Sequence, residues 1–312
     1  MTINIANAPC SWGVDYADDI NNPDWKNVFK QIAEAGYSYC EIGPYGFLPK
    51  DFQETQNFLN DFDLNVVGGF IFDHLHQSNK HSIIKSKIIS TCSFLKKLNG
   101  KVFVIIDHIS KERMKTSGKR KISQDLPEDE YKALVSFLSE ICRIVKEEYN
   151  LIQVLHPHAG TYIEYEDEID RLLNDINSDS LSLCLDTAHL TYSGIDPYRA
   201  ILKYNSLVKH MHFKDIKLDI LNNVHDKNID FDTAVSNGVF SPLGNGMIDF
   251  KKIYKNLYEI NYDGFATIEQ DIDPTLGLSA IEYAKRNKID FELIEPLKRK
   301  TNKKSYADNF TK

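Results

Sequence analysis

Side chains able to bind a metal ion recur at four points in the second half of the chain, each directly after a short apolar run. The four segments read "VLHPHAGTYIE", "LCLDTAH", "KHMHFKD" and "ATIEQD". Imidazole and carboxylate groups without sulfur suit Mn²⁺, Co²⁺, Mg²⁺, Fe²⁺ or Zn²⁺, and they leave coordination positions open for oxygen atoms of a ligand. The candidate side chains are His156, His158, Glu164, Asp186, His189, His210, His212, Lys214, Asp215 and Glu269.

A shared cation explains why so many polar groups follow apolar runs. A carboxylate or imidazole that loses solvent does so at a cost unless a partner compensates for it. Each position also has a plainer interpretation, because Asp186 alone is typical of a helix cap and His212 alone is typical of a hydrogen-bonded core residue. Four such coincidences at consecutive strand ends favour one divalent metal site.

Polar and aromatic residues also follow the first four apolar runs. Glu41 lies in "CEIGPYG" and is expected either to contact a ligand directly or to lie behind groups that do. His74, His76 and His108 have the same two interpretations. Trp12, in "PCSWG", either forms an apolar wall against a bound ring such as a sugar or packs in the core.

The elements that must position these residues alternate along the whole chain, short apolar runs with longer amphipathic ones. Runs such as "VFVII" and "LSLCL" indicate strands that are covered on both faces, and hence a parallel sheet. About eight strand–helix units predict a single (β/α)8 barrel, whose active site lies at the carboxyl ends of the strands. A doubly wound sheet is the alternative, weakened because no GxGxxG motif opens a first helix. The predicted strands are Ile3–Ala8, Tyr39–Ile42, Leu64–Phe70, Lys101–Ile106, Leu151–Leu155, Leu181–Leu185, Val208–Phe213 and Gly264–Ile268.

Helical spacing of apolar residues predicts the layer outside the strands. Two connections, Asp107–Pro127 and Lys217–Gly246, are long for this architecture and are expected to be lids or substrate contacts. The first, which holds "KERMKTSGKRK", is equally consistent with a solvated basic loop. The predicted helices are Trp25–Ala35, Phe52–Phe62, Ser82–Leu98, Glu128–Tyr149, Glu166–Leu173, Pro197–Tyr204, Phe250–Ile260 and Leu276–Asn287.

The bulk properties favour one cytoplasmic domain. A net charge of -8 argues against a nucleic-acid partner, and no apolar run reaches the about 18 residues that a membrane span needs. Five scattered cysteines without a CxxC pair fit a reducing compartment. Within the 312 residues we predict a barrel over residues 1–295 and a polar tail over residues 296–312, with self-association left open.

From "APCSWG" to "IEQD" the chain resembles the xylose isomerase-like barrel superfamily, the sugar phosphate isomerase/epimerase group. Many members have Glu where this chain has His156, so His156 or Glu164 would complete the metal site. The resemblance implies one divalent ion, Mn²⁺ or Co²⁺ before Mg²⁺, Fe²⁺ or Zn²⁺, held by His156, Asp186, His212 and Glu269. The predicted substrate contacts are His189, His158, Lys214, Glu41 and Trp12.

Within this superfamily "HPHAGTYIE", "DTAHLTYSGIDP", "HMHFKD" and "AVSNGVFSPLGNGMIDF" together resemble the keto-inositol (inosose) dehydratases. The resemblance implies an enolate made from a small keto sugar or cyclitol, with Glu269 as base and His156 or Glu164 as acid. The alternatives are a sugar or sugar-phosphate isomerase or epimerase, of the ketose 3-epimerase or hydroxypyruvate isomerase type, and a non-catalytic sugar-binding barrel. The net charge argues against an apurinic endonuclease.

Overall fold

The computed structural model describes residues 3–176, 180–271 and 279–294, and these residues form a closed barrel of eight parallel strands. The strand order around the barrel, in the labels given below, is β1-β10-β7-β6-β5-β4-β3-β2. The closed ring confirms the predicted single (β/α)8 barrel and excludes a doubly wound sheet. The strands are β1 (Ile3–Asn7), β2 (Tyr39–Glu41), β3 (Asn65–Asp73), β4 (Val102–Asp107), β5 (Ile152–Leu155), β6 (Ser182–Asp186), β7 (Val208–Phe213), β8 (Asp215–Ile216), β9 (Phe240–Ser241) and β10 (Gly264–Ile268).

Helices follow the strands and supply the outer layer. The first of them begins where the Asp24 carboxylate accepts hydrogen bonds from the backbone of Lys26 and Asn27. It ends as predicted at Gly36, whose φ of +92° suits a residue without a Cβ. The described helices are α1 (Trp25–Glu34), α2 (Phe52–Asp61), α3 (His81–Lys97), α4 (Lys111–Thr116), α5 (Glu128–Tyr149), α6 (Glu166–Asp175), α7 (Thr187–Tyr192), α8 (Pro197–Tyr204), α9 (Leu218–Lys227), α10 (Phe231–Ser236), α11 (Phe250–Glu259) and α12 (Ala280–Ile294).

The barrel strands coincide with the predicted ones to within a few residues at their ends. All six residues of β4 are buried, as expected for a strand that is covered on both faces. The largest difference is at β3, which continues three residues beyond Phe70 because Ile71, Phe72 and Asp73 pair with the end of β4. This extension carries the third strand further toward the mouth of the barrel.

The two long connections are folded. The first contains α4, where Arg113 is buried and donates to both carboxylate oxygens of Glu168, so this part is not a solvated basic loop. The second contains α9, α10 and β9, and β9 pairs antiparallel with β8. Helices of six residues make too few turns to show a clear apolar period, which is why the sequence pattern did not predict α4 or α10.

The last helix differs from its prediction at both ends. It begins at Ala280 in the described residues and continues to Ile294, seven residues beyond Asn287. Residues 276–278 of the predicted helix and the predicted tail over residues 296–312 lie outside the described residues, so the boundary at 295 stays a prediction. All five cysteines are buried with free thiols. Among the described residues, we find no helix long and apolar enough to cross a membrane.

Candidate metal centre

Four consecutive strands of the barrel bring four predicted metal ligands to one point. His156 follows β5, Asp186 ends β6, His212 lies in β7 and Glu269 follows β10. One ligand atom from each of the four lies within 4.8 Å of the others, and all four side chains are buried. The barrel register accounts for this, since Asp186 pairs directly with His212. We call these four residues the metal cluster.

Two atoms of the metal cluster are buried with no hydrogen-bond partner among the described residues, namely Asp186 Oδ2 and His212 Nδ1. Asp186 Oδ2 lies 3.9 Å from His156 Nε2, and His212 Nδ1 lies 3.3 Å from Glu269 Oε1. The other oxygen of Asp186 accepts two backbone N–H groups at the start of α7. Because buried polar atoms are rarely left unpaired, this donor set fits a cation held between them.

Hydrogen bonds fix both imidazoles of the cluster with one nitrogen turned toward the other ligands. His156 Nδ1 lies 3.0 Å from the carbonyl oxygen of Pro157, to which it donates, so Nε2 faces the cluster without a proton. His212 Nε2 lies 3.1 Å from Glu41 Oε1. Burial and the neighbouring His212 hold the pKa of His156 well below its usual value, and a neutral imidazole is the form that binds a metal.

The pKa values of the two carboxylates in the cluster are shifted in opposite directions. Burial, together with repulsion by Glu269, raises the pKa of Asp186 from 3.8 to about 6, although Lys214 acts in the opposite direction. Burial also acts to raise the pKa of Glu269, but the attraction of His212 and Lys214 outweighs it and lowers that pKa well below its usual value. Of the two carboxylates, Asp186 is therefore the one whose charge the surrounding side chains compensate less.

Lys214 and Asp271 form a charged pair at the edge of the cluster. Lys214 Nζ lies 2.9 Å from Asp271 Oδ1, 3.2 Å from Glu269 Oε2 and 3.8 Å from Asp186 Oδ2. Asp271 is not among the predicted residues, although it ends the segment "ATIEQD", two residues after Glu269. With Lys214 balancing Asp271, the two charges of Asp186 and Glu269 remain to balance a divalent ion.

His158 and His189, two predicted substrate contacts, lie next to the cluster. Their rings are 3.8 Å apart, and His189 Nε2 lies 3.4 Å from Lys214 Nζ. Burial lowers the pKa of His158 to about 3, so this ring is neutral. The rings of Phe231 and Phe240, 6.0 and 5.3 Å from that of His189, come from the long connection between β7 and β10. Part of that connection therefore packs against the site.

Glu164 is not brought into the metal cluster. Its two carboxylate oxygens accept hydrogen bonds from the hydroxyl of Ser117 and the backbone N–H groups of Gly118 and Gly160. Because these bonds hold the carboxylate against the connection around α4, Glu164 is not the first metal ligand, whereas its role as acid stays a prediction. Asp215 is likewise turned to backbone, where it accepts four N–H groups.

Glu41 and Trp12 are two predicted substrate contacts whose side chains are buried. Glu41 is fully buried behind His212, which corresponds to the second of its two interpretations. His210, also fully buried, bonds to the same Glu41 oxygen at 2.9 Å. Trp12 is buried in the core, and its indole N–H donates to the side chain of Gln31 on α1 at 2.7 Å, which corresponds to the second of its two interpretations.

The remaining predicted histidines lie apart from the cluster. His74, His76 and His108 line a groove of about 790 Å³ that follows β3 and β4. The rings of His74 and His108 are stacked 4.1 Å apart, and His76 Nδ1 lies 2.8 Å from Asp107 Oδ1. None of these three imidazoles supplies one of the four ligand atoms of the metal cluster.

Comparisons with known proteins agree with this architecture. The family described as xylose isomerase-like TIM barrel matches residues 29–294. An inosose dehydratase of Lacticaseibacillus casei is 30% identical over 294 residues, covering 92% of this chain and 96% of that protein. An inosose dehydratase of Clostridium tetani (strain Massachusetts / E88) is 31% identical over 291 residues, with 90% and 94% covered. A crystal structure of the IOLI protein with a bound zinc atom superposes with a TM-score of 0.71 at 16% identity, covering 94% of this chain and 98% of that one. The chain belongs to the xylose isomerase-like TIM barrel family.

Proposed function

We propose that this protein is a divalent-metal-dependent lyase of the inosose dehydratase type, which removes water from a keto-inositol. The observation that carries the proposal is the buried cluster of His156, Asp186, His212 and Glu269, with two of its atoms unpaired. The relatives named inosose dehydratase support the choice of substrate, since they match at 30% and 31% identity over at least nine-tenths of the chain.

A bound divalent ion supplies one part of the chemistry, because it polarises the ketone of the substrate and favours loss of the proton on the adjacent carbon. Glu269 is our proposed base. Its low pKa keeps it ionised, and it is the most exposed member of the cluster, at 9%. A carboxylate at the mouth side of the ligands is accessible to a proton of a ring bound there.

The acid that releases the hydroxyl group is assigned to Lys214. His156 was the other acid expected from the sequence, but its Nδ1–H is donated to Pro157 and its Nε2 carries no proton. Lys214 Nζ lies 3.2 Å from Glu269 Oε2. Glu269 takes the proton from carbon, the carbon–oxygen bond of the neighbouring carbon breaks, and Lys214 gives a proton to the leaving hydroxide. Proton transfer from Glu269 to Lys214 then restores both groups, and the net loss is one water.

The experiment is an enone assay on the purified protein. Keto-inositol is added with Mn²⁺ or Co²⁺, and dehydration is followed as the growth of ultraviolet absorbance. We expect turnover in wild type, none in Asp186→Asn, and wild-type rates in Asp129→Asn, a matched control in the exposed first turn of α5. Exchange of the substrate proton for deuterium without enone would overturn dehydration in favour of an epimerase or isomerase. Metal binding with neither reaction would favour a sugar-binding barrel.

A further inference from the structure

We infer that Glu41 is a positioning residue, which sets the orientation and the tautomer of His212 for the ion; this inference rests on the proposed function. Glu41 ends β2 and contacts Nε2 of His212, whereas Nδ1 of the same ring faces Glu269. It is fully buried and touches no other member of the metal cluster by hydrogen bond or ion pair within the described residues. Its action on the ion therefore passes through one imidazole.

One oxygen of Glu41 collects three donors from two strands. Oε1 accepts from His212 Nε2 at 3.1 Å, from His210 Nε2 at 2.9 Å and from the Thr267 hydroxyl at 2.6 Å. All three contacts converge on one carboxylate oxygen, and a carboxylate oxygen accepts stronger hydrogen bonds than a neutral group does.

The bond to Glu41 decides which nitrogen of His212 carries the proton. A metal-bound imidazole is neutral and has one N–H, and a carboxylate accepts only from an N–H, so in the metal-loaded protein Nε2 of His212 carries that proton. Nδ1 then presents its lone pair on the side of Glu269, 3.3 Å away. A metal-binding histidine is commonly oriented by such a partner, and loss of the partner typically weakens metal affinity about 10–100-fold.

The backbone is shaped to bring Glu41 under His212. The register between β2 and β3 shifts at Cys40 and Glu41, so the last residue of β2 moves out of step with its neighbour. On β3, Gly69 allows a close approach, since a Cβ there would lie 2.6 Å from Ile42 Cγ1. The irregular end of β2 therefore places the Glu41 carboxylate under His212.

A role limited to packing does not account for the arrangement. Glu41 Oε2 and His210 Nδ1 are both buried without a hydrogen-bond partner among the described residues. Burying such atoms is costly, and apolar side chains of similar volume would fill the space with less loss. What apolar side chains cannot supply is an oxygen that accepts a hydrogen bond from Nε2–H of His212.

The test measures metal binding instead of turnover. Wild type, Glu41→Gln and the control Thr267→Val are titrated with Co²⁺ by calorimetry, and the visible absorption of the Co²⁺ complex is recorded. We expect Glu41→Gln to bind Co²⁺ about 10–100-fold more weakly with a shifted spectrum, because an amide lacks the charge that holds His212. Thr267→Val removes another bond to the same Glu41 oxygen and leaves the His212 bond in place, so its affinity is expected to stay within threefold of wild type.

The outcomes separate this inference from the proposed function. Wild type that fails to bind Co²⁺ would refute the metal centre itself, whereas Glu41→Gln binding as tightly as wild type would refute only the role of Glu41. If Glu41→Gln does not fold, nitrogen-15 spectra of metal-free and Zn²⁺-loaded wild type decide the question. We expect the Nε2–H form of His212 in the loaded protein, and the Nδ1–H form would overturn the inference.

Discussion

Replacing Asp186 by Asn is expected to make the metal-free protein more stable while abolishing metal binding. Asp186 Oδ1 caps α7 by accepting two backbone N–H groups, and an amide oxygen at the same place accepts them as well. Oδ2 is buried without a hydrogen-bond partner among the described residues, and the Lys214 ammonium 3.8 Å away does not outweigh the cost of burying its charge. The substitution keeps the cap and removes the buried charge.

The size of the effect follows from the pKa of Asp186. It is raised from 3.8 to about 6 by burial and by Glu269, a gap that corresponds to about 3 kcal/mol at 1.36 kcal/mol per pKa unit. Below pH 3.8 the carboxyl is protonated in both the folded and the unfolded chain, and the charge costs nothing. The cost grows as pH rises from 3.8 to about 6, and it is constant above that pH. For a chain of 312 residues, 3 kcal/mol is a rise in Tm of about 4–5 °C.

The assay is thermal unfolding of EDTA-treated wild type and Asp186→Asn between pH 4 and pH 8, repeated with added Mn²⁺. We expect the Tm advantage of the variant to be near zero at pH 4 and full above pH 6. A metal at 100 times its Kd adds about 2.7 kcal/mol to wild type and nothing to the variant. A metal-free variant less stable than wild type at pH 8, or one that keeps the Mn²⁺ shift, would refute the reasoning.

The other predictions concern the base, the ion and the connection around α4. Glu269→Gln is expected to abolish turnover in the enone assay with an unchanged circular dichroism spectrum, because the amide takes up no proton. Dialysis against EDTA is expected to abolish turnover and added Mn²⁺ or Co²⁺ to restore it; full activity in a demonstrably metal-free sample would contradict the metal mechanism. Arg113→Met is expected to lower the unfolding free energy by about 3–5 kcal/mol in urea titrations, since Arg113 donates to Glu168 at 2.7 and 2.9 Å while buried; a loss under 1 kcal/mol would contradict this.

The fold was predictable because each strand of a parallel barrel is covered on both faces and is therefore visible in the sequence as a separate apolar run. The predicted run Lys101–Ile106 became β4 (Val102–Asp107) with a shift of one residue at each end. The elements inside the long connections were not predictable in the same way. The six residues of α4 are stabilised by the contact of Arg113 with Glu168, 55 residues away in the chain, and no local pattern reports such a contact.

The metal cluster was predictable for the same reason as the strands, and its surroundings were not. His156, Asp186, His212 and Glu269 each end or follow an apolar run, so barrel topology alone brings them together. The bond between Glu41 and His212 joins residues 171 apart, and only the folded structure shows which ring nitrogen of His212 faces Glu41.

Glu164 lies outside the metal cluster because residue type and position after a strand do not fix the direction of a side chain. The segment after β5 turns at Gly160, with a φ of +82°, and Glu164 then accepts the N–H of that same residue. Both carboxylate oxygens of Glu164 accept hydrogen bonds, so neither is left as an unpaired buried atom. The useful signal for a ligand is thus an unpaired buried atom, as at Asp186, and not a carboxylate near a strand end.

The charges of the site explain why its residues lie at the mouth of a barrel and not in an ordinary core. Without an ion, one ammonium, that of Lys214, lies within 4 Å of three carboxylates, those of Asp186, Glu269 and Asp271. Such an arrangement lowers stability, and eight hydrogen-bonded strands hold it in place because the barrel is stable by its own packing. A divalent ion brings the total charge of these four side chains to zero. The same imbalance that weakens the metal-free fold therefore provides the attraction that binds the ion.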